Sequence, residues 1–332
     1  MKTNRNFSGL IEAFFTDRLM RQRQASPATI CSYRDAFCRL FQYVKTYLKI
    51  SPSKLRMEDL NSKVIADFLC WLENQCGNST RTRNARLAAI HSFFKYALLY
   101  DPLHAGRIQQ ILAIPNKRFD RVSVEYLMSS ETKALLSAPD LTSSSGRRDR
   151  ALLLLAVQTG LRVSEIISLN CGDIVINGGA HVKCKGKGRK ERCTPISKNT
   201  NTVLGDWLKE YNGQSTDPLF PNARGGRLSR DGVEYLLQKH VKTATQICPT
   251  LKKKRISPHV LRHTAAMDLL QHGVDRTVIA MWLGHENLET VNIYLHANLK
   301  MKEEALAKTS DPSVLASRFK PEDELMAFLK NL

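Results

Sequence analysis

Residues 26–48, SPATICSYRDAFCRLFQYVKTYL, fix what the first part of this chain can become. Ile30, Tyr33, Phe37, Leu40, Phe41, Val44 and Leu48 recur at intervals of three and four, and only a helix gathers such a set on one face. Ser26 is placed to cap that helix, and Pro27 stands in its first turn, where a missing N–H costs nothing. The same reasoning predicts helices over 8–22 and 59–74 and a fourth over 78–100, capped within 78–80. The apolar side of this fourth helix is Leu87, Ile90, Phe93, Phe94, Ala97 and Leu98. Cys31 and Cys38 fall inside the periodic run and read as buried packing residues. An all-helical domain over 1–114 follows. A linker over 115–124 is expected where the proline-containing stretch LAIPNKRFDRVSV loses its periodicity.

The remainder, 125–332, mixes elements. ETKALLSA and RRDRALLLLAVQTGL read as helices, and helical patterns resume near 199–211 and 229–245 and dominate from 258 onward. Between them, residues 173–196, DIVINGGAHVKCKGKGRKERCTPI, break into short β-branched runs separated by Gly178-Gly179 and Gly186-Lys187-Gly188. That is the pattern of a small antiparallel sheet with two turns. The expected fold class is therefore mainly α: a helical domain, then a mixed α/β domain with one small sheet. At the end, KPEDELMAFLKNL reads as an amphipathic tail helix with Leu325, Phe328, Leu329 and Leu332 on its apolar side.

Charge narrows the partner. The chain of 332 residues has 50 Lys and Arg against 31 Asp and Glu, a formal charge of +19. Residues 1–121 hold 20 basic and 9 acidic side chains, a surplus of 11, so 8 remain for the rest. Two domains that are both basic point to one polyanion touched by both, and nucleic acid fits first. Arg81, Arg83 and Arg86 crowd the start of the fourth helix, where the helix dipole disfavours cations and a phosphate backbone would relieve them. The longest apolar run, ALLLLAV, is far too short to cross a membrane. The eight cysteines form no C-x-x-C pair and no zinc pattern, so no metal or cofactor is expected, and with no secretion signal they fit a cytoplasmic protein.

Several short stretches carry candidate chemistry. SPHVLRHTAAMDLLQHG (257–273) caps with Ser257, starts with Pro258, and sets His259, Arg262 and His263 on one face near a helix N-terminus, an end that favours anions. TGLRVSEIISL (159–169) sets Arg162 in an apolar context with Glu165 one turn on, placed to orient it by a salt bridge. Its planar fork suits two phosphate oxygens. KGKGRKER lacks the P-loop pattern and instead offers Lys187 between two glycines of a turn. LGHENLETVNIYLH puts Tyr294 nine residues after His285.

Arg162, Lys187, His259, Arg262, His285 and Tyr294, in this order and these contexts, resemble the tyrosine recombinase (phage integrase) family, and more closely its two-domain Xer-like members. The segments that carry the resemblance are TGLRVSEIISL, CKGKGRKERCTPI, SPHVLRHT and LGHENLETVNIYLHA. The helices TICSYRDAFCRLFQYV and TRTRNARLAAIHSFFKYAL add a likeness to the family's SAM-like core-binding domain. The resemblance implies a site-specific DNA strand transferase that works without metal or ATP. Tyr294 would form a 3′-phosphotyrosyl link, His259 would act as base, and Arg162 and Arg262 would hold the two non-bridging oxygens. Lys187 would protonate the leaving 5′-oxygen, and His285 would hydrogen-bond the phosphate.

It further implies that the two domains clamp double-stranded recombination sites. Arg81, Arg83 and Arg86 would touch DNA from the first domain, and Arg224 and Arg230, in PNARGGRLSRDG, from the second. A homotetramer on DNA, joined through the C-terminal segment, is the implied assembly; docking of that segment in cis stays open, as does a second recombinase or accessory protein. DNA integration, excision, dimer resolution and movement of a mobile element all remain open as roles. The readings from other classes are a catalytically inactive sequence-specific DNA-binding protein and a type IB topoisomerase.

Overall fold

The structure is a computed structural model that describes residues 6–119, 124–186 and 191–284. The chain divides into two compact units at the Arg121–Val122 bond. The first unit is helical: α1 (Phe7–Ala13), continued by π-type turns over Phe14–Gln22, then α2 (Pro27–Tyr43), α3 (Ser62–Asn74), α4 (Thr80–Ala97) and α5 (Ala105–Leu112). Ser26 caps α2 by accepting from the Thr29 N–H, and Ser79 caps α4 by accepting from the Thr82 N–H. The periodic faces meet in an aromatic core. The Phe93 ring on α4 stands edge-on to Phe14 at 5.5 Å and to Phe37 at 5.4 Å, and all three are buried. Such pairs add about 0.5–1.5 kcal/mol each beyond the apolar area they bury.

Several expectations for this unit are corrected. The helix α5 was not foreseen, because its eight residues are too few to show a clear period. Cys31 and Cys38 are exposed rather than packed. Each lies one residue, about 100° of helix rotation, beyond the apolar positions Ile30 and Phe37. The start of the expected linker is bound back onto the unit it should leave. Arg83 Nη1 donates to the Pro115 carbonyl at 3.0 Å, Asn84 Nδ2 donates to the Lys117 carbonyl at 2.8 Å, and the Lys117 ammonium pairs with Glu73 at 2.6 Å.

The second unit has α6 (Ser129–Ser137), α7 (Ser144–Thr159), α8 (Val163–Ser168), α9 (Lys198–Tyr211), α10 (Arg230–Ile247), α11 (Pro258–Gln271) and α12 (Arg276–Leu283), with one sheet among the described residues. Buried Leu152, Leu153, Leu155 and Ala156 make α7 apolar nearly all round, so it runs through the middle. A buried hydrogen bond fixes it to α10: His240 Nε2 lies 2.8 Å from Asp149, which also accepts from Arg148. The sheet is the expected small antiparallel one, in the order β1 (Ile174–Val175), β2 (His181–Lys185), β3 (Glu191–Pro195), with Lys183 opposite Cys193 and Lys185 opposite Glu191. Val182 and Cys184 turn inward while Lys183 and Lys185 face out, as strand alternation requires. Gly178 and Gly179 supply the left-handed backbone of the first turn. Lys187, His285, Tyr294 and the expected tail helix over 320–332 lie outside the described residues. Among the described residues no helix is long and apolar enough to cross a membrane.

Candidate active site

Arg162 reaches its place through two local devices. Helix α7 ends at Gly160, whose φ of +62° is a left-handed cap. A Cβ there would lie 2.6 Å from Leu283 Cδ2, so only glycine lets the end of α7 approach the end of α12 so closely. Arg162 then occupies the N-cap of α8, and Glu165, three residues on, accepts from its backbone N–H at 2.7 Å. The expected salt bridge also forms, Nη1 to Oε1 at 3.0 Å. The other end of the Arg162 fork donates to the Gly284 carbonyl at 3.2 Å.

Arg262 comes from α11. Ser257 stands at that helix's N-cap but makes no side-chain cap hydrogen bond, contrary to expectation, and Pro258 still occupies the first turn. The Arg262 side chain is buried, with Nη1 donating to the Gly160 carbonyl at 2.6 Å and Nη2 to the Leu283 carbonyl at 2.7 Å. The cap of α7 and the last carbonyls of α12 therefore hold both guanidinium groups. Cations suit this position, because the C-terminal end of α12 leaves unpaired carbonyls and partial negative charge.

His259 belongs to the same cluster. Its imidazole is held below the ordinary histidine value, first by burial and then by the positive charges of Arg230, Arg262 and Arg162. His263, one turn on, is pushed down to about 4 by burial, by His259 and by Arg262. Both rings are thus neutral at physiological pH, and a neutral imidazole can accept a proton. Arg230 is exposed at the first position of α10 and is one of the positive charges that hold the His259 imidazole down. Arg224 is exposed on a turn built by Asn222, which accepts from the Arg224 and Gly226 N–H groups.

Sequence reasoning missed Arg192. On β3 it forks onto the buried Glu165 carboxylate, Nη1 to Oε1 at 3.0 Å and Nη2 to Oε2 at 2.8 Å. Burial pushes the Glu165 carboxyl up, but Arg192 and Arg162 outweigh it and the carboxyl ends below its ordinary value. Two guanidinium groups, Arg162 and Arg192, thus share the one carboxylate of Glu165, and Arg262 is held beside Arg162 at the end of α12, a local surplus of positive charge that suits an anion.

On the first unit, Arg81 is exposed at the start of α4. Arg86 is half-buried, with Nη1 unpartnered among the described residues, and both burial and the nearby Arg39 work against its charge. Arg83 is buried and turned inward onto the Pro115 carbonyl.

Residues 125–301 match the family model described as the phage integrase family, and residues 11–99 match its N-terminal SAM-like domain. A protein of Sinorhizobium fredii carrying the provisional name integrase/recombinase y4rC is 54% identical over 332 residues, the full length of both chains. Tyrosine recombinase XerD of Pseudomonas putida is 32% identical over 291 residues, covering 85% of this chain and 91% of that one. Among solved structures, the XerH site-specific recombinase bound to its difH substrate superposes with a TM-score of 0.66 at 24% identity, covering 91% of this chain and 84% of that one, a likeness of fold.

Proposed function

The chain belongs to the phage integrase family, as a DNA strand-cleaving and rejoining enzyme of the Xer-like tyrosine recombinase class, and on that premise we propose that it cuts and reseals duplex DNA at specific sites through Tyr294. The observation that carries the reading is the convergence of Arg162 and Arg262 on the adjoining carbonyls of Gly284 and Leu283, beside the neutral His259. A phosphodiester entering there meets two forked cations suited to its two non-bridging oxygens.

The Tyr294 oxygen attacks phosphorus and gives its proton to His259. A bond from the phenolic oxygen to phosphorus forms, and the bond from phosphorus to the 5′-oxygen breaks. The departing 5′-oxygen takes a proton from the Lys187 ammonium. The arginines stabilise the negative charge that accumulates on the five-coordinate phosphorus, a task that metal ions perform in other phosphoryl transfers. A free phenol has a pKa of about 10 and attacks slowly at neutral pH, so the surrounding positive charge and the acceptor imidazole are both needed. His285 donates to the same phosphate. The phosphotyrosyl link keeps the energy of the broken bond, and a second 5′-hydroxyl reseals the strand.

DNA is the partner that this reading requires, touched by Arg81 and Arg86 from the first unit and by Arg230 and Arg224 from the second. Four copies assemble on paired sites, with the segment over 320–332 docking on the neighbouring copy. Deleting 320–332 should abolish synapsis and leave single-site binding intact; synapsis that survives removes the exchange.

A duplex nicked next to the cleavage point tests the chemistry. The protein should become covalently attached to it, and Tyr294→Phe should not. Binding without attachment by the unaltered protein would leave only a sequence-specific DNA-binding protein. Relaxation of supercoiled DNA without exchange between two sites would make it a topoisomerase.

A further inference from the structure

Helix α8 carries Arg162 at its N-cap and is too short to hold its own place. Six residues do not make a helix that stands alone, and its last carbonyls have no partner within it. Arg227 meets them from a distant loop. It is exposed, yet its Nη1 donates to the Ile167 carbonyl at 3.1 Å and to the Leu169 carbonyl at 3.2 Å, and its Nη2 donates to Asn170 Oδ1 at 2.6 Å. A cation at this end also complements the helix dipole. Arginines recur at 224, 227 and 230, and among the described residues the middle one alone closes its fork on protein acceptors.

The base from which Arg227 reaches is itself fixed. Its backbone forms an antiparallel bridge with Pro221, and its carbonyl accepts from Asn222 Nδ2 at 2.9 Å. The Pro221 carbonyl accepts from Arg148 of α7 at 2.7 Å, and the Leu219 carbonyl accepts from the Trp207 indole of α9 at 2.8 Å. The Leu219 N–H donates to the Leu169 carbonyl at 3.0 Å, while the Asp217 and Ser215 carbonyls accept from the Cys171 and Gly172 N–H groups at 2.9 Å each. Arg227 thereby joins the C-terminal end of α8 to a base anchored on α7. The other end of α7 is capped by Gly160, whose carbonyl holds Arg262. At six residues α8 is about 9 Å long, a stiff body that carries a shift at one end to Arg162 at the other.

We propose that Arg227 is a positioning residue, which holds α8 by its C-terminal carbonyls so that Arg162 keeps its spacing from Arg262. The proposal rests on the recombinase reading above, in which the two guanidinium groups share one phosphate. Misplacement by about 1 Å of a group that contacts the reacting centre costs on the order of 100-fold in rate. Arg227→Lys keeps the charge at the helix end and loses the fork; Arg227→Ala loses both.

The test is single-turnover cleavage of the nicked duplex at saturating protein, with DNA affinity measured alongside at several salt concentrations. Arg227→Lys and Arg227→Ala should cleave about 10–100-fold more slowly, with affinity and its salt dependence unchanged. Arg162→Ala should by itself lose about 100–1,000-fold. Adding Arg227→Ala to it should change the rate by less than about twofold, since a residue that acts through Arg162 then has nothing left to position. Losses that multiply in the double variant, or no loss in the single ones, would overturn the proposal. So would variants too unstable to bind DNA, since the contact would then serve folding alone. A weaker affinity with a shallower salt dependence would overturn it by making Arg227 a phosphate contact. If the unaltered protein does not become attached to the duplex, the recombinase reading itself fails, a result distinct from Arg227 variants that cleave at the unaltered rate.

Discussion

Arg162 and Arg262 end on consecutive carbonyls of one helix terminus, Arg162 on Gly284 at 3.2 Å and Arg262 on Leu283 at 2.7 Å. The two come from segments 100 residues apart in sequence. Their spacing is therefore set by the end of α12, which makes that terminus the template of the proposed phosphate site.

Arg262→Lys should separate charge from geometry. An ammonium cannot donate in a fork to both the Gly160 and Leu283 carbonyls, so one buried carbonyl loses its partner. Cleavage of a nicked duplex should fall by about 100–1,000-fold. Urea unfolding should report a loss of about 1–3 kcal/mol in stability.

Glu165→Gln should be more damaging to the fold than to DNA affinity. The carboxylate is buried and faces two guanidinium groups, which its loss leaves uncompensated. Removing one partner of such a buried arrangement costs about 3–5 kcal/mol. A chemical denaturation midpoint that stays at the parental value would refute this account of the cluster.

Stability should fall on acidification in a defined window. The His263 pKa is about 4 in the folded protein, against about 6.5 for an unfolded chain. As pH drops below about 6.5, the unfolded state takes up a proton that the folded state refuses, and stability declines until about pH 4. His259 acts in the same direction. Glu165, with its folded value depressed, stabilises above the ordinary carboxylate range, and that contribution is lost as pH falls through its lowered value. Melting temperature measured from pH 8 to pH 4 should slope accordingly, and His263→Asn should flatten the upper part of the curve.

Arg81 and Arg83, two residues apart, should behave oppositely. Arg81→Ala should weaken DNA binding and reduce the salt dependence of the logarithm of affinity by about one unit. Arg83→Ala should leave the salt dependence alone and lower the unfolding free energy by about 1–3 kcal/mol, because it releases Pro115. Titration with DNA at several salt concentrations, alongside thermal melts, distinguishes the two.

The helices were legible where their apolar faces were long, as in α2 and α4, and the sheet was legible from its paired glycines. Helix α5 was not, because eight residues give too little periodicity to tell a helix from a loop. At the site, the sequence showed which short stretches carry unusual residues. It could not show that Arg262 is anchored by Gly160 and Leu283, since those contacts span 102 and 21 residues. Arg192 escaped for a related reason: within KGKGRKER it is one cation among many, and only a partner 27 residues away marks it out. Arg83 looked like its neighbours on a basic helix face, and the helix's rotation took it inward.

Arg162 and Arg192 share the single carboxylate of Glu165, and Arg262 ends beside Arg162 at the α12 terminus, so positive charge exceeds negative charge there and the like charges repel. Folding must oppose that self-repulsion, and any polyvalent anion that enters relieves it. By mass action such an anion favours the native state over the unfolded one. Substrate and thermal resilience are thereby linked: the protein is at its least robust when idle and hardens as it engages its target.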